Sequence, residues 1–228
     1  LNQSAYVSKV LERFGMAECN PCNTPVDPKV DTMAISEAAS LQTVSPREYR
    51  AAVGALLHLT KWTRPDVALA VNIASRFNAK PTEAAWLLVT RILRFLRRTP
   101  YHGLAITIGT DSLEICMYCD SDFGGDTKSR KSTTGYVVIM SGTPICWCSK
   151  RQSIVATSTL EAEYIALFEA SQEIVFVQRL INELSDHKLT LPTPIYCDNE
   201  GAKQIALHPK FHKRTKHIDI KYHKVRER

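Results

Sequence analysis

The chain has 228 residues, of which 44% are hydrophobic and 23% charged, and its formal net charge is +6. A chain of this size can bury one ordinary hydrophobic core together with a smaller second one. Its apolar stretches are broken by polar residues well before the roughly 20 residues that span a bilayer, and its N-terminus lacks a signal-peptide pattern. We therefore expect an intracellular protein, cytoplasmic or nuclear, with no membrane role.

The N-terminal part of the chain has the apolar periodicity of helices. Four helices are predicted, near residues 1–16, 45–60, 64–74 and 82–99. The second begins with a helix-start pattern, Ser45-Pro46-Arg47-Glu48, in which Ser caps the helix and Glu reaches back to the cap. Residues 20–45 are rich in Pro, Asn, Thr and Asp without a sustained period, which is typical of a surface linker. We expect a compact helical subdomain.

After Pro100 the period changes to two, which is typical of strands. Strands are predicted at residues 113–119, 135–140, 144–148 and 195–197. A long helix is predicted from Leu160 towards Leu184, and another helix follows Asp198. Three consecutive strands, a helix, a strand and a helix indicate an α/β domain with a mixed sheet flanked by helices.

The cysteines and their spacing argue against disulfides. Seven is an odd number, and four of the seven lie inside apparent strands, as expected of free thiols in a reducing compartment. The Cys-x-x-Cys spacings at Cys19/Cys22 and Cys116/Cys119 raise the alternative of a zinc site. That alternative is disfavoured, because residues three apart in a strand point to opposite faces and because Cys22 lies in a turn-rich segment.

Positive charge is concentrated at two places. Residues 203–228 carry nine Lys or Arg against two acids, a net charge of +7, together with four of the seven histidines. The helix predicted near 82–99 adds a stripe of arginines beside its apolar side. Such a run can be an ordinary solvated surface, and the sharper interpretation is contact with nucleic-acid phosphates.

Three carboxylates lie at positions that can meet. Asp120 and Asp198 each end an apolar strand, and Glu163 lies one turn into the long helix. If the two strands are neighbours, both Asp side chains lie on one rim of the sheet and the helix can place Glu163 between them. Clustered carboxylate oxygens suit Mg²⁺, and two such ions support phosphodiester hydrolysis. Taken singly, an Asp at a strand end has a simpler explanation as a turn former or helix cap.

The residues around these acids form a series of motifs. In chain order they are Tyr118-Cys-Asp120-Ser-Asp122, Arg130-Lys-Ser-Thr-Thr-Gly-Tyr136, Trp147-Cys-Ser-Lys150, Glu161-Ala-Glu163-Tyr-Ile-Ala-Leu167, Tyr196-Cys-Asp198-Asn199 and Arg214-Thr-Lys-His217-Ile-Asp219. In identity, order and spacing they resemble the ribonuclease H domain of copia-type LTR retrotransposon Pol polyproteins. Upstream, residues 6–15 and 49–97 are similar to the end of the reverse transcriptase of the same family.

The resemblance implies two domains. Residues 1–104 correspond to a C-terminal helical segment of reverse transcriptase, and residues 113–228 to a ribonuclease H-like domain with a mixed sheet of the five-strand type. The family's last strand and helix are missing, so we expect a fragment truncated at its C-terminus. Asp219 comes too early in the motif order to replace the family's fourth acid, and Asp122 and Asp126 have no clear counterpart. The polymerase pattern Tyr-x-Asp-Asp is absent, so no polymerase active site is expected.

The resemblance also implies site residues. Asp120, Glu163 and Asp198 match the catalytic and metal-binding acids, with Mg²⁺ or Mn²⁺ as cofactor, as two ions. Glu163 fits the pattern better than Glu161, and because two residues are about 200° apart around a helix, only one of them can face the sheet. The implied nucleic-acid-binding residues are Arg91, Arg94, Lys150, Lys213, Arg214, Lys216 and His217.

The implied function is metal-dependent endonucleolytic cleavage of the RNA strand of RNA·DNA hybrids during reverse transcription. Its partner is the remainder of the Pol polyprotein, and its location a cytoplasmic virus-like particle or the nucleus. The alternative is a catalytically impaired remnant that binds nucleic acid without productive metal, and the sequence does not separate the two. A transposase or integrase also uses clustered acids, but the upstream polymerase-like helices disfavour it.

Overall fold

The computed structural model of the protein describes residues 1–40, 42–106, 114–185, 189 and 192–207. The chain divides into two compact units. The first comprises Leu1–Ala105 with Asp126–Lys128, and the second comprises Ile106–Gly125 with Ser129–Arg228. Each unit has its own cluster of buried apolar side chains. No helix in the described ranges is both long and apolar enough to cross a membrane.

The described part of the first unit is helical. Its α-helices are α1 (Ser4–Arg13), α2 (Thr32–Glu37), α3 (Pro46–Trp62), α4 (Ala68–Ser75) and α5 (Glu83–Arg98). A single 3-10 turn, Pro65–Val67, leads into α4. All four helices predicted from the periodicity are therefore confirmed, although α1 is shorter than the predicted span.

Side-chain caps fix where α2 and α3 begin. Ser45 Oγ accepts a hydrogen bond from the amide of Glu48 at 3.1 Å, which confirms the predicted start of α3. The predicted linker over residues 20–45 was wrong in one respect, because it contains α2. The carboxylate of Asp31 accepts from the amides of Met33 and Ala34 and so starts this helix. A capping side chain can start so short a helix even where the sequence has no apolar periodicity from which the helix could be predicted.

The core of the first unit encloses a charged side chain. Arg64 is only 1% exposed and donates to the carbonyl oxygen and to Oγ1 of Thr99, at 2.9 and 2.7 Å. It also forms an ion pair of 2.8 Å with Asp66, and its guanidinium lies 5.7 Å from the ring centroid of Phe95. The guanidinium thereby ties the chain after α3 to the end of α5, in a place where an unpaired charge would be costly.

The second unit is a mixed sheet with helices. Its described strands are β1 (Ile115–Asp122), β2 (Thr133–Met140), β3 (Thr143–Arg151) and β4 (Ile195–Tyr196). Their order in the sheet is β3-β2-β1-β4, with β1, β2 and β3 antiparallel and β4 parallel to β1. Helix α6 (Thr159–Leu184) packs on β1 and β2, and α7 (Glu200–Leu207) packs on α6. The predicted α/β architecture with a mixed sheet is confirmed.

The alternation along β1 decides which side chains face α6. Met117 and Cys119 are buried in the core of this unit together with Tyr164 of α6. Tyr118 points away from this core and stacks on Tyr196 of β4, with ring centroids 4.9 Å apart, and both rings are about half exposed. One face of the sheet is therefore packed and the other presents aromatic side chains.

The strands extend further than the apolar pattern predicted. Asp120 was expected at the end of its strand, but β1 continues to Asp122, and Asp120 pairs with Gly135 in the ladder with β2. Backbone pairing continues here through polar residues, because the neighbouring strand supplies hydrogen-bond partners whatever the side chains are. An apolar period marks only the part of a strand that covers the core.

Candidate active site

The parallel pairing of β1 and β4 aligns two short segments of the second unit. Met117 aligns with Ile195 and Tyr118 with Tyr196 in the parallel pair β1–β4. The residues that follow on each strand are a cysteine and then an aspartate. Because parallel strands run in the same direction, both cysteines and both aspartates arrive at the same edge of the sheet. The predicted juxtaposition of two strand segments is present in the structure.

Glu163 reaches this edge from the first turns of α6. Its side chain is almost fully buried, and Oε1 accepts hydrogen bonds from the hydroxyl and the amide of Ser121, at 2.8 and 3.3 Å. The other carboxylate oxygen, Oε2, is buried and has no hydrogen-bond partner among the described residues. A buried carboxylate oxygen without a partner is costly, so its presence calls for an explanation.

Asp198 and Cys197 lie beside Glu163. One ligand atom from each of the three residues lies within 4.8 Å of the other two, and Asp198 is exposed whereas Cys197 is buried. Cys197 was not predicted as a site residue. The signal that could have identified it is its place directly before Asp198, since it precedes the acid on the same short strand segment.

Asp120 lies next to this group of three but is not one of its members. Its side chain is exposed, and Oδ1 accepts from the amide of Ser121 at 2.8 Å. The same amide also donates to Glu163, so the two carboxylates share one hydrogen. The structure therefore places Asp120, Glu163 and Asp198 around one edge of the sheet, with Glu163 as the buried member.

The electrostatics of the cluster follow from burial and like charge. Burial raises the pKa of Glu163 above its usual value, and the negative charges of Asp120 and Asp198 raise it further. The two hydrogen bonds from Ser121 act in the opposite direction, because they favour the ionised form. A positive charge at Oε2 would offset both the cost of burying the ionised Glu163 and its repulsion by Asp120 and Asp198.

The two buried cysteines behind the acids form a pair. A hydrogen bond from the thiol of Cys119 favours the thiolate of Cys197 and lowers the pKa of Cys197, while it raises the pKa of Cys119. The seven cysteines are all free thiols, as predicted. Within the described ranges, neither Cys-x-x-Cys pair gathers a group of metal-ligating side chains, and Cys22 instead donates to two carbonyl oxygens.

Comparison with known proteins finds relatives that match the chain over its whole length. The chain is 39% identical over its whole length to the retrovirus-related Pol polyprotein from transposon TNT 1-94 of Nicotiana tabacum, and 40% identical over 99% of its length to that from transposon RE1 of Arabidopsis thaliana. It is also 37% identical to an uncharacterized mitochondrial protein of Arabidopsis thaliana, over 77% of this chain and 71% of that protein. The homologues that match the whole chain are retrotransposon Pol polyproteins. It spans 17% and 15% of the two polyproteins.

No family model and no solved structure matches the chain. The relation to Pol polyproteins therefore rests on sequence relatives. Those relatives are of the copia type predicted from the motifs. The mixed sheet is compatible with a ribonuclease H-like fold.

The second glutamate on α6 has a different place. Glu161 is also buried, and its carboxylate accepts from the amide and the hydroxyl of Thr157, at 2.7 and 2.8 Å. Its own amide donates to Ser158 Oγ at the cap of α6. Glu161 thus holds the start of the helix, whereas Glu163 faces the strand edge.

The predicted nucleic-acid-binding residues fall into three groups. Arg91 and Arg94 lie on α5, where Arg91 donates to Thr24 and Arg94 donates to the carbonyl oxygen of Asn20. Both arginines therefore hold the loop before α2 through part of their donors. Lys150 of β3 is 64% exposed and lies 3.8 Å from a carboxylate oxygen of Glu169. The remaining four lie outside the described residues: Lys213, Arg214, Lys216 and His217.

The acids without a predicted role are structural. Asp126, within the first unit, is buried and accepts from Thr32 Oγ1 at 2.6 Å, and an Arg76 nitrogen lies 3.8 Å away. In the second unit, a Cβ on Gly125 would lie 1.6 Å from Oδ2 of Asp122. Any other residue at 125 would therefore displace the Asp122 carboxylate from its present place.

Proposed function

We propose that the second unit is a ribonuclease H that cleaves the RNA strand of RNA·DNA hybrids during reverse transcription of a retrotransposon. The observation that carries the proposal is the buried Glu163 oxygen without a described partner, beside Asp120 and Asp198. The motifs around these acids, in a chain related to Pol polyproteins, supply the reaction class. The first unit would be the C-terminal helical segment of the reverse transcriptase, and the rest of the polyprotein its partner.

The donor set fits divalent magnesium or manganese. Hard carboxylate oxygens are the ligands that Mg²⁺ prefers, and a cation at Glu163 Oε2 would supply the partner that the oxygen lacks in the described structure. Glu163 and Asp198 would hold one ion, and Asp120 would contribute to a second. Two bound ions would lower the pKa of the attacking water and stabilise the leaving oxygen.

The protein side chains prepare this edge of the sheet. Ser121 fixes the orientation of Glu163 through its hydroxyl and amide, so the free oxygen has a defined place. Asp120 and Asp198 are exposed, so the outer side of the site is open to a phosphodiester backbone. A buried anchor with two exposed acids suits a substrate that approaches from solvent.

The substrate would be held by charge rather than by base sequence. Lys150 projects from β3 of the same unit, and Lys213, Arg214, Lys216 and His217 belong to the basic C-terminal segment. Arg91 and Arg94 keep a role only through donors that the loop does not use. Contacts to phosphates and 2′-hydroxyls distinguish a hybrid from DNA without reading its sequence. We place this activity in a virus-like particle in the cytoplasm or in the nucleus.

The test is cleavage of an end-labelled RNA·DNA hybrid by the whole chain in Mg²⁺. We expect cleavage of the RNA strand alone, and loss of at least about two orders of magnitude in rate in Glu163→Gln and in Asp198→Asn. Glu161→Gln is the matched control, because it makes the same substitution at equal burial on the same helix. A chain that binds the hybrid without cutting it in Mg²⁺ or Mn²⁺ is the impaired remnant, and the proposal is then wrong.

A further inference from the structure

Cys197 places a sulfur among the carboxylates of the second unit. Its Sγ, a Glu163 oxygen and an Asp198 oxygen lie within 4.8 Å of one another. A hard-ion site of oxygen ligands has no need of a thiol, since thiolates select softer metals. The three atoms therefore offer a ligand set that differs from the one that magnesium chemistry uses.

A second observation points to a ligand in the same place. Glu163 is 93% buried, being 7% exposed, and its Oε2 has no partner among the described residues. This unpartnered oxygen belongs to Glu163, the same residue that has a carboxylate oxygen near Cys197 Sγ.

We propose that Glu163, Cys197 and Asp198 form a binding site for a thiophilic divalent cation of the Zn²⁺ or Cd²⁺ class. Three protein ligands and one water complete the tetrahedral shell of such an ion. A tetrahedral Zn²⁺ separates its ligand atoms by about 3.5 Å, so ligand atoms that already lie within 4.8 Å of one another close on the ion by small side-chain movements. The Cys197 thiol gives its proton to solvent as the metal–sulfur bond forms, and no electrons are transferred.

The site overlaps the one assigned to Mg²⁺, and this consequence rests on the proposed function. The thiophilic ion would occupy the position between Glu163 and Asp198 that the first Mg²⁺ needs. A thiophilic ion held by the sulfur therefore excludes Mg²⁺ and leaves the nuclease without its productive metal. The same residues then give the enzyme a built-in sensitivity to thiophilic metals.

The test is a titration of the reduced whole chain with Cd²⁺, followed by the ultraviolet charge-transfer absorption of the cadmium–thiolate bond. We expect a tight phase that is lost in Cys197→Ser and weakened about tenfold or more in Glu163→Gln. Cys116→Ser is the control, because it removes a β1 thiol that does not belong to the group, and the tight phase should survive. Excess Mg²⁺ should weaken Cd²⁺ binding by competition.

The outcomes are separable. A tight phase that persists unchanged in Cys197→Ser overturns the site, as does one that Glu163→Gln leaves intact, provided that circular dichroism shows both variants folded. If Cys197→Ser does not fold, Glu163→Gln and the Mg²⁺ competition still decide. Because the readout is metal binding, a chain that binds Cd²⁺ through Cys197 but never cleaves a hybrid contradicts the nuclease and leaves the metal site standing.

Discussion

The hydroxyl of Ser121 donates to Glu163 Oε1 at 2.8 Å, and this contact orients the buried acid of the proposed active site. In Ser121→Ala the carboxylate loses one of its two described donors, so we expect its metal affinity to fall by about 10- to 100-fold. Isothermal titration with Mn²⁺ and hybrid cleavage at low Mg²⁺ measure the effect, and high Mg²⁺ should restore part of the rate. The exposed Ser153→Ala should behave as wild type. Equal Mn²⁺ affinity in Ser121→Ala would contradict the orienting role.

Glu163→Gln should stabilise the metal-free protein at neutral pH. The folded-state pKa of Glu163 is raised by burial and by the neighbouring acids, so its ionised form costs stability above that pKa and costs nothing below the unfolded value near 4.3. The variant should therefore gain about 1 kcal/mol at pH 7 and nothing near pH 4, after allowance for solvent screening. Thermal unfolding in a chelator at both pH values measures the difference. A gain that grows as the pH falls would have the wrong sign.

Arg64→Met should destabilise the first unit by about 3 kcal/mol. The variant leaves the carbonyl of Thr99 without its buried donor and Asp66 without its ion pair, and each such loss costs about 1–3 kcal/mol. Urea unfolding followed by tryptophan fluorescence in a Trp147→Phe background reports on this unit through Trp62 and Trp86. The exposed Arg98→Met is the matched control and should change little. A loss below 1 kcal/mol would show that the Thr99 contact is not important for stability.

Hybrid binding should weaken steeply with salt. Each phosphate contact releases counterions, so Lys150→Ala should lower affinity and reduce the slope of log affinity against log salt by about one. Fluorescence anisotropy in Ca²⁺, between low and physiological salt, provides the measurement. Lys61→Ala removes a surface lysine of the first unit and serves as the control. An unchanged slope in Lys150→Ala would remove this residue from the interface.

Sequence reasoning was most successful where a single physical cause dominates. Apolar periods located the helices and strands, and the Ser45 cap located the start of α3, because burial and capping act locally. It failed at α2 and at the end of β1. Both depend on partners that the pattern does not contain: the amides capped by Asp31 and the strand that pairs with Asp120.

The candidate site was predictable only as a set of acids. The motifs indicated Asp120, Glu163 and Asp198, and their pattern favoured Glu163 over Glu161, of which only one can face the sheet. It could not show that Ser121 would bind Glu163, which depends on how α6 packs on β1, or that Cys197 would join the group, which depends on the register of β1 against β4. Packing and register are tertiary properties, and a single sequence does not specify them directly.

Strand β4 is two residues long and carries Asp198 to the site. The ladder between β1 and β4 has far fewer hydrogen bonds than the ladders that join β1, β2 and β3. Strand β4 can therefore separate from β1 while the rest of the sheet stays paired. Such a fluctuation moves Asp198 away from Glu163 without unfolding α6. The population of assembled sites is therefore lower than the population of folded chains, and the amide hydrogens around Ile195 should exchange faster than those of β2. A cation that ties Asp198 to Glu163 shifts that balance towards assembly, so metal and strand pairing stabilise each other.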